Sequence, residues 1–124
     1  MISRGMLAGI LTLLIGGAAH AGTLTTPLVD NFSVEIFHCV LTNVGTGTST
    51  ITSIQLFNVL GAEITPDSNS CGATLAPHAS CAVQKDPGFL GAYCTATASG
   101  KIRLSLSVLS NSTGETMVTV SGTP

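Results

Sequence analysis

Residues 102–108, Ile-Arg-Leu-Ser-Leu-Ser-Val, alternate apolar and polar side chains without a break. A period of two puts Ile102, Leu104, Leu106 and Val108 on one face and Arg103, Ser105 and Ser107 on the other, the pattern of a strand buried on one side. The turn-forming cluster Asn111-Ser112-Thr113-Gly114 follows and leads into Thr116–Val120, which predicts a hairpin. Upstream, Ser99-Gly100 turns the chain out of Ala92–Ala98, where Cys94, Ala96 and Ala98 share a face. Ser80–Gln84 reads as a short strand ended by Asp86-Pro87-Gly88, and residues 61–77 as mostly loop, with Pro66, Asp67, Asn69 and Gly72 as turn formers. In Thr50–Leu60 the apolar alternation changes phase between Ile51 and Ile54, which predicts a bent or bulged strand. Phe32–Thr42 is apolar and β-branched, with Phe37, Cys39 and Leu41 on one face and Ile36, His38 and Val40 on the other. Residues 22–31 read as an extended lead-in fixed by Pro27. About seven short strands and no helix beyond the N-terminal segment predict an all-β sandwich over residues 32–124.

Residues 1–21 read as an export signal outside that fold. Arg4 gives a positive start, Met6–Ile15 is an apolar run, and Ala19-His20-Ala21 has the small-x-small form of a cleavage site. The run is too short to span a bilayer, which takes ~20 residues, and Gly22 rather than Cys after the cut argues against a lipoprotein. The expectation is a periplasmic or secreted protein with no stable membrane insertion once the signal is removed. Only 8% of the 124 residues are charged. After the cut Lys85, Lys101 and Arg103 stand against Asp30, Glu35, Glu63, Asp67, Asp86 and Glu115, a net charge of −3. Nucleic-acid binding by phosphate neutralisation needs a basic face, and a disordered chain needs more charge and fewer apolar residues, so both are excluded.

All four cysteines, Cys39, Cys71, Cys81 and Cys94, fall after the cut. In an exported small domain an even count reads as two disulfides, for which three pairings exist. We expect Cys71–Cys81, around a short loop containing Pro77, and Cys39–Cys94, tying an early strand to a late one. A metal site is the weaker alternative. His78 and Cys81 are spaced H-x-x-C and His38 adjoins Cys39, but structural zinc shows C-x-x-C pairs and blue copper needs two His, a Cys and an axial Met. No metal and no cofactor are expected. Nor is a nucleophile–base pattern present: His38, His78, Asp67 and Asp86 have no motif spacing, and no G-x-S-x-G occurs. Asn31-Phe32-Ser33 and Asn111-Ser112-Thr113 match the glycosylation sequon, which matters only on a eukaryotic secretory route.

There is no Trp to pack on a disulfide, and Tyr93 precedes Cys94 by one residue where the immunoglobulin pattern has two. Beyond that general architecture, five stretches carry a resemblance. They are Leu41-Thr42-Asn43-Val44-Gly45-Thr46; Cys71-Gly72-Ala73-Thr74-Leu75-Ala76-Pro77-His78-Ala79-Ser80-Cys81; Pro87 and Gly91; Ser110-Asn111; and Val118-Thr119-Val120-Ser121-Gly122-Thr123. From Val40 onward the chain resembles the bacterial extracytoplasmic immunoglobulin-like β-sandwich modules of the ASPM–SPD-2–Hydin type. The resemblance implies a spacer, adhesive unit or accessory domain and carries no catalytic residue. Three departures stand out. His78 sits where glycine is usual, Ala82-Val83-Gln84-Lys85 replaces an aromatic-rich strand, and Cys39 and Cys94 are additions.

The reading that follows is an exported non-enzymatic structural or protein-interaction module, acting on a protein partner or by self-association. One variant has Thr23–Val29 adding as a strand to a neighbour's sheet; the plainer reading of that segment is a frayed or first edge strand. The alternative is a small-ligand or carbohydrate-binding sandwich, for which Phe89 and Tyr93, flanking Gly88 and Gly91, form the only plausible exposed aromatic pair.

Overall fold

The computed structural model describes residues 21–30, 35–86, 88 and 90–124. The expected export signal, apart from its last residue Ala21, lies outside the described residues, as do Phe32, Phe89 and the sequon at Asn31. Eleven strands run in order: β1 Ala21–Thr25, β2 Val29–Asp30, β3 Glu35–Asn43, β4 Ser49–Asn58, β5 Glu63–Ile64, β6 Ser68–Asn69, β7 Thr74–Leu75, β8 Ser80–Lys85, β9 Gly91–Ser99, β10 Ile102–Ser110 and β11 Thr116–Ser121. Four of these are two-residue bridging pieces, which leaves seven strands of five residues or more. No helix occurs among the described residues.

The strands form two antiparallel sheets. One has the order β1-β9-β4-β5, with β2 beside β1 on β9 and β7 on β4; the other has the order β11-β10-β3-β8-β6. The alternation seen in the sequence becomes a two-layer core. Phe37, Cys39 and Leu41 of β3 and Leu104, Leu106 and Val108 of β10 point inward, against Cys94, Ala96 and Ala98 of β9 and Leu56 of β4. The small side chains of β9 let its backbone approach the bulky β3 and β10 faces, which suits two sheets ~10 Å apart. Both expected disulfides form. Cys39–Cys94 joins the sheets with a Cα–Cα distance of 6.3 Å, and Cys71–Cys81 closes the loop before β8 at 4.9 Å. The phase change in Thr50–Leu60 is a bulge, because the β4–β9 register shifts between Ile51 and Ser53.

The connectivity departs from an immunoglobulin domain in one respect. There the strand after the second disulfide-bearing strand returns beside it in the same sheet. Here β10 crosses to the other sheet and pairs β3 along its whole length, Ile102↔Asn43 to Ser110↔Glu35. The place beside β9 is filled from the other end of the chain, by β1 in the register Ala21↔Ser99 to Thr25↔Thr95. The lead-in is therefore an edge strand of the chain's own sheet. Buried Thr26 fastens it: its N–H donates to the Cys94 carbonyl at 2.9 Å, and its hydroxyl accepts the Cys94 N–H at 2.9 Å. Ala21, the last residue of the expected signal, is the first of β1.

The loop inside the short disulfide turns at Ala76-Pro77-His78-Ala79, where the Ala79 N–H donates to the Ala76 carbonyl at 3.1 Å. His78 is the one non-glycine residue with positive φ among the described residues, at 63°. Proline followed by a positive φ is the type II arrangement, which favours glycine in the second place. His78→Gly is expected to raise stability by about 0.5–1 kcal/mol, the left-handed penalty relieved less the extra backbone entropy of glycine. Thermal unfolding checks this; a lower melting temperature would mean the imidazole contributes a contact worth more than the strain.

Candidate functional site

Strands of about nine residues give the sandwich two ends roughly 30 Å apart. One end collects the turns after β3 and β9, the start of β1 and the segment after β11. There β11 stops at Ser121, opposite Ser105. The Gly122 N–H donates to the Leu104 carbonyl at 2.7 Å, and Thr123 then pairs with Thr25 of β1, so the chain crosses from one sheet to the other. A Cβ on Gly122 would lie 2.9 Å from the Leu104 Cβ, so only glycine allows so close a crossing. The first residues of β10 are left without a neighbour on that side, and a cleft of about 670 Å³ opens there, lined by Leu24, Val44, Ile102, Arg103, Leu104, Pro124 and nearby hydroxyls. A second hollow of about 470 Å³ shares Leu24, Val44, Ile102, Arg103 and Pro124 and adds Lys101. Lys101 and Arg103 are both exposed, and neither is in an ion pair among the described residues.

Val44 and its turn are positioned by Asn43, which is 0% exposed at the end of β3. Its amide nitrogen donates to the carbonyls of Gly47 at 2.7 Å and Leu75 at 3.0 Å, and its side-chain oxygen accepts the Gly45 N–H at 2.9 Å. Its backbone accepts from the His78 N–H at 2.8 Å and donates to the Ala79 carbonyl at 3.0 Å. One side chain thus joins the turn after β3 to the disulfide loop. In the sequence Asn43 stands out only as part of the Leu41–Thr46 stretch; nothing in the local pattern marks it as buried.

The other end carries an apolar tip. Leu60 is 88% exposed, Leu90 65%, Val59 49% and Leu28 47%. The Val59-Leu60 turn is well tied. The Asn58 side-chain oxygen accepts the N–H groups of Leu60 at 2.9 Å and Ala62 at 3.0 Å, and Gly61 takes the positive φ of 82° that the turn requires. Of the expected aromatic pair, Tyr93 lies flat against Phe57 of β4, with ring centroids 5.1 Å apart and planes 18° apart, while Phe89 lies outside the described residues. The partner of Tyr93 is thus set by the β4–β9 register, Phe57↔Tyr93.

The same end holds the carboxylates. Asp67 accepts the Asp86 N–H at 2.8 Å and pairs with Lys85 at 3.2 Å. The Asp86 N–H first, and the Lys85 ammonium second, hold its carboxyl below the usual aspartate range. His78 sits at the opposite end of the sandwich, and His38 faces outward at mid-strand between Ser107 and Gln84, so the structure does not gather these residues into one constellation. Among the described residues no three His, Cys, Asp or Glu side chains converge on a point that could hold a metal ion. All four cysteines are in disulfides, which fits an oxidising, extracytoplasmic environment.

The fold and its ends define a two-sheet, disulfide-bonded antiparallel β-sandwich. No family model matches this chain, and neither a curated protein nor a solved structure matches it.

Proposed function

We propose that this chain is an exported, non-enzymatic structural or protein-interaction module that works in the periplasm or outside the cell. The observation that carries the reading is the apolar tip, where Leu28, Val59, Leu60 and Leu90 are exposed together at one end, apart from the exposed Met117 and Val118 of β11 and Val44 at the cleft. Such concentrations of apolar surface mark contact sites, because leaving them in water is unfavourable. The two disulfides support the compartment, and the resemblance to modules of the ASPM–SPD-2–Hydin type points to the same kind of role.

In-cell cross-linking tests it. A photoreactive residue at position 60 is expected to yield discrete protein adducts in the envelope or medium fraction, and one at exposed Thr52 is expected to yield none. Recovery of the chain reduced in the cytoplasm, or adducts at position 60 that contain glycan and no protein, would overturn the reading.

A further inference from the structure

We propose that copies of this chain dock end to end, with the apolar tip of one seated in the cleft at the opposite end of the next. The inference rests on the interaction-module reading and names the partner as a second copy.

Charge is the first argument. All six carboxylate side chains are described, and the register places every one toward the tip. Asp30 pairs with Gly91, Glu35 with Ser110 and Glu63 with Phe57. Asp67 bonds the Asp86 backbone, and Glu115 lies in the β10–β11 hairpin, where its carbonyl accepts the Ser110 N–H. Lys85, the one Lys or Arg among the described residues at that end, is bound to Asp67. The other two described Lys and Arg residues, Lys101 and Arg103, line the cleft at the far end, where Arg103 is opposite Thr42. Among the described side chains the carboxylates therefore gather at one end, while the two cations outside the Lys85–Asp67 pair lie at the other.

Shape and polarity agree with charge. The cleft floor is Leu24, Val44, Ile102 and Pro124, apolar surface left uncovered where β11 ends short of β10. The tip presents Leu60 on a turn whose hydrogen bonds are already made, so little conformational freedom is lost on docking. Seating the tip brings Asp30, Glu63 and Asp86 toward Lys101 and Arg103. The alternatives are disfavoured: tip against tip sets carboxylate on carboxylate, and cleft against cleft sets cation on cation. A tip roughly 30 Å from its own cleft cannot close on it. The contact is heterologous and repeats, giving rings or filaments.

The test is light scattering of the purified disulfide-bonded protein up to about 1 mM, where contacts of millimolar strength are visible. We expect mass to grow with concentration, and to fall when NaCl rises from about 0.05 M to about 0.5 M, which shortens the screening length. Leu60→Asp should leave the chain monomeric, as should Lys101→Glu with Arg103→Glu; all three positions are exposed, so melting temperatures should stay near wild type. Mixed one to one, the two variants should form a dimer and nothing larger, because each retains one working end. A wild-type protein that stays monomeric to about 1 mM overturns the proposal. So does assembly that survives Leu60→Asp, or that is lost instead with Val118→Lys on the outer edge of β11. A monomer in vitro would still leave the module reading to the cross-linking experiment, so the two failures are distinguishable.

Discussion

Replacing Cys39 and Cys94 together by alanine is expected to destabilise the protein by about 4 kcal/mol. The two residues are 0% exposed and lie on facing strands, β3 and β9, that belong to different sheets. Their bond closes a loop with a sequence separation of 55, for which the chain-entropy account gives about 4 kcal/mol. Cys71–Cys81 spans only 10 residues, for which the same account gives about 3 kcal/mol. Cys71 is also only half buried, so its loss leaves a smaller void. The order of the two effects is therefore fixed in advance, with the inter-sheet bond the larger. Against a total stability of ~5–15 kcal/mol, loss of the first bond removes a large fraction. In a domain of this size about 4 kcal/mol corresponds to a fall in melting temperature of roughly 15–30 °C. Calorimetry of the two double mutants decides it. A change below about 1 kcal/mol for the Cys39/Cys94 pair would mean that the sheets are held by burial of Phe37, Leu41, Leu104 and Leu106 alone, well under the range usual for native disulfides. A single Cys39→Ser should cost at least as much as the double alanine change, because it also buries an unpartnered hydroxyl.

The parts of this fold visible in the sequence are those set by local periodicity. Leu104, Leu106 and Val108 alternate because one side of β10 faces the core, and that needs no knowledge of the partner strand. The bulge in β4 could be read for the same reason, as a break in phase at Ile51. Partner choice could not. Ser99-Gly100 marks a turn, but whether the next strand folds back on β9 or crosses to β3 depends on which sheet has an open edge. The lead-in could be read as an edge strand, but its partner could not, because Thr23, Thr25 and Thr26 show no apolar rhythm and their place comes from backbone groups offered by β9. In residues 61–77 the turn formers were correct, while β5, β6 and β7 are two-residue pairings fixed entirely by β4 and β8.

The site was less legible than the fold. Tyr93 could be assigned to the face away from Cys94, but its stacking on Phe57 depends on a register that only the folded sheet supplies. The sorting of charge was equally hidden. Positions 30, 35, 63, 67, 86 and 115 look scattered until antiparallel strands bring them to the same end. Lys101 and Arg103 are near one another in sequence, but their cleft exists because β11 is shorter than β10 and the chain leaves it at Gly122.

Asn43→Ala is expected to destabilise the protein by about 3–4 kcal/mol, the second-largest effect of any change considered. The change deletes three hydrogen bonds, one of them to the buried Leu75 and the other two to Gly47 and Gly45 in the turn, where Gly47 is exposed. Net hydrogen-bond contributions near 1 kcal/mol each, with the further penalty for polar groups left unpaired in a buried place, give that sum. Asn43→Asp separates hydrogen bonding from packing, since the two side chains have nearly the same shape. The new carboxylate can still accept the Gly45 N–H but faces two carbonyl oxygens to which it cannot donate while ionised. Burial and those oxygens raise its pKa in the folded state above the unfolded value of ~3.9. The folded state then holds the proton more tightly, so stability is greatest at low pH and falls as pH rises through the raised pKa. A variant that loses stability equally at all pH values would show that Asn43 acts through its volume. A pH-dependent loss, together with faster amide exchange at Gly45 and His78, would show that hydrogen bonding holds the turn after β3 to the disulfide loop. That turn carries Val44 into the cleft, so end-to-end assembly should weaken in Asn43→Ala even at temperatures where the protein is still folded. If assembly were unchanged there, the Val44 N–H bond to the Lys101 carbonyl, 2.9 Å long, would be sufficient by itself to hold the cleft in shape.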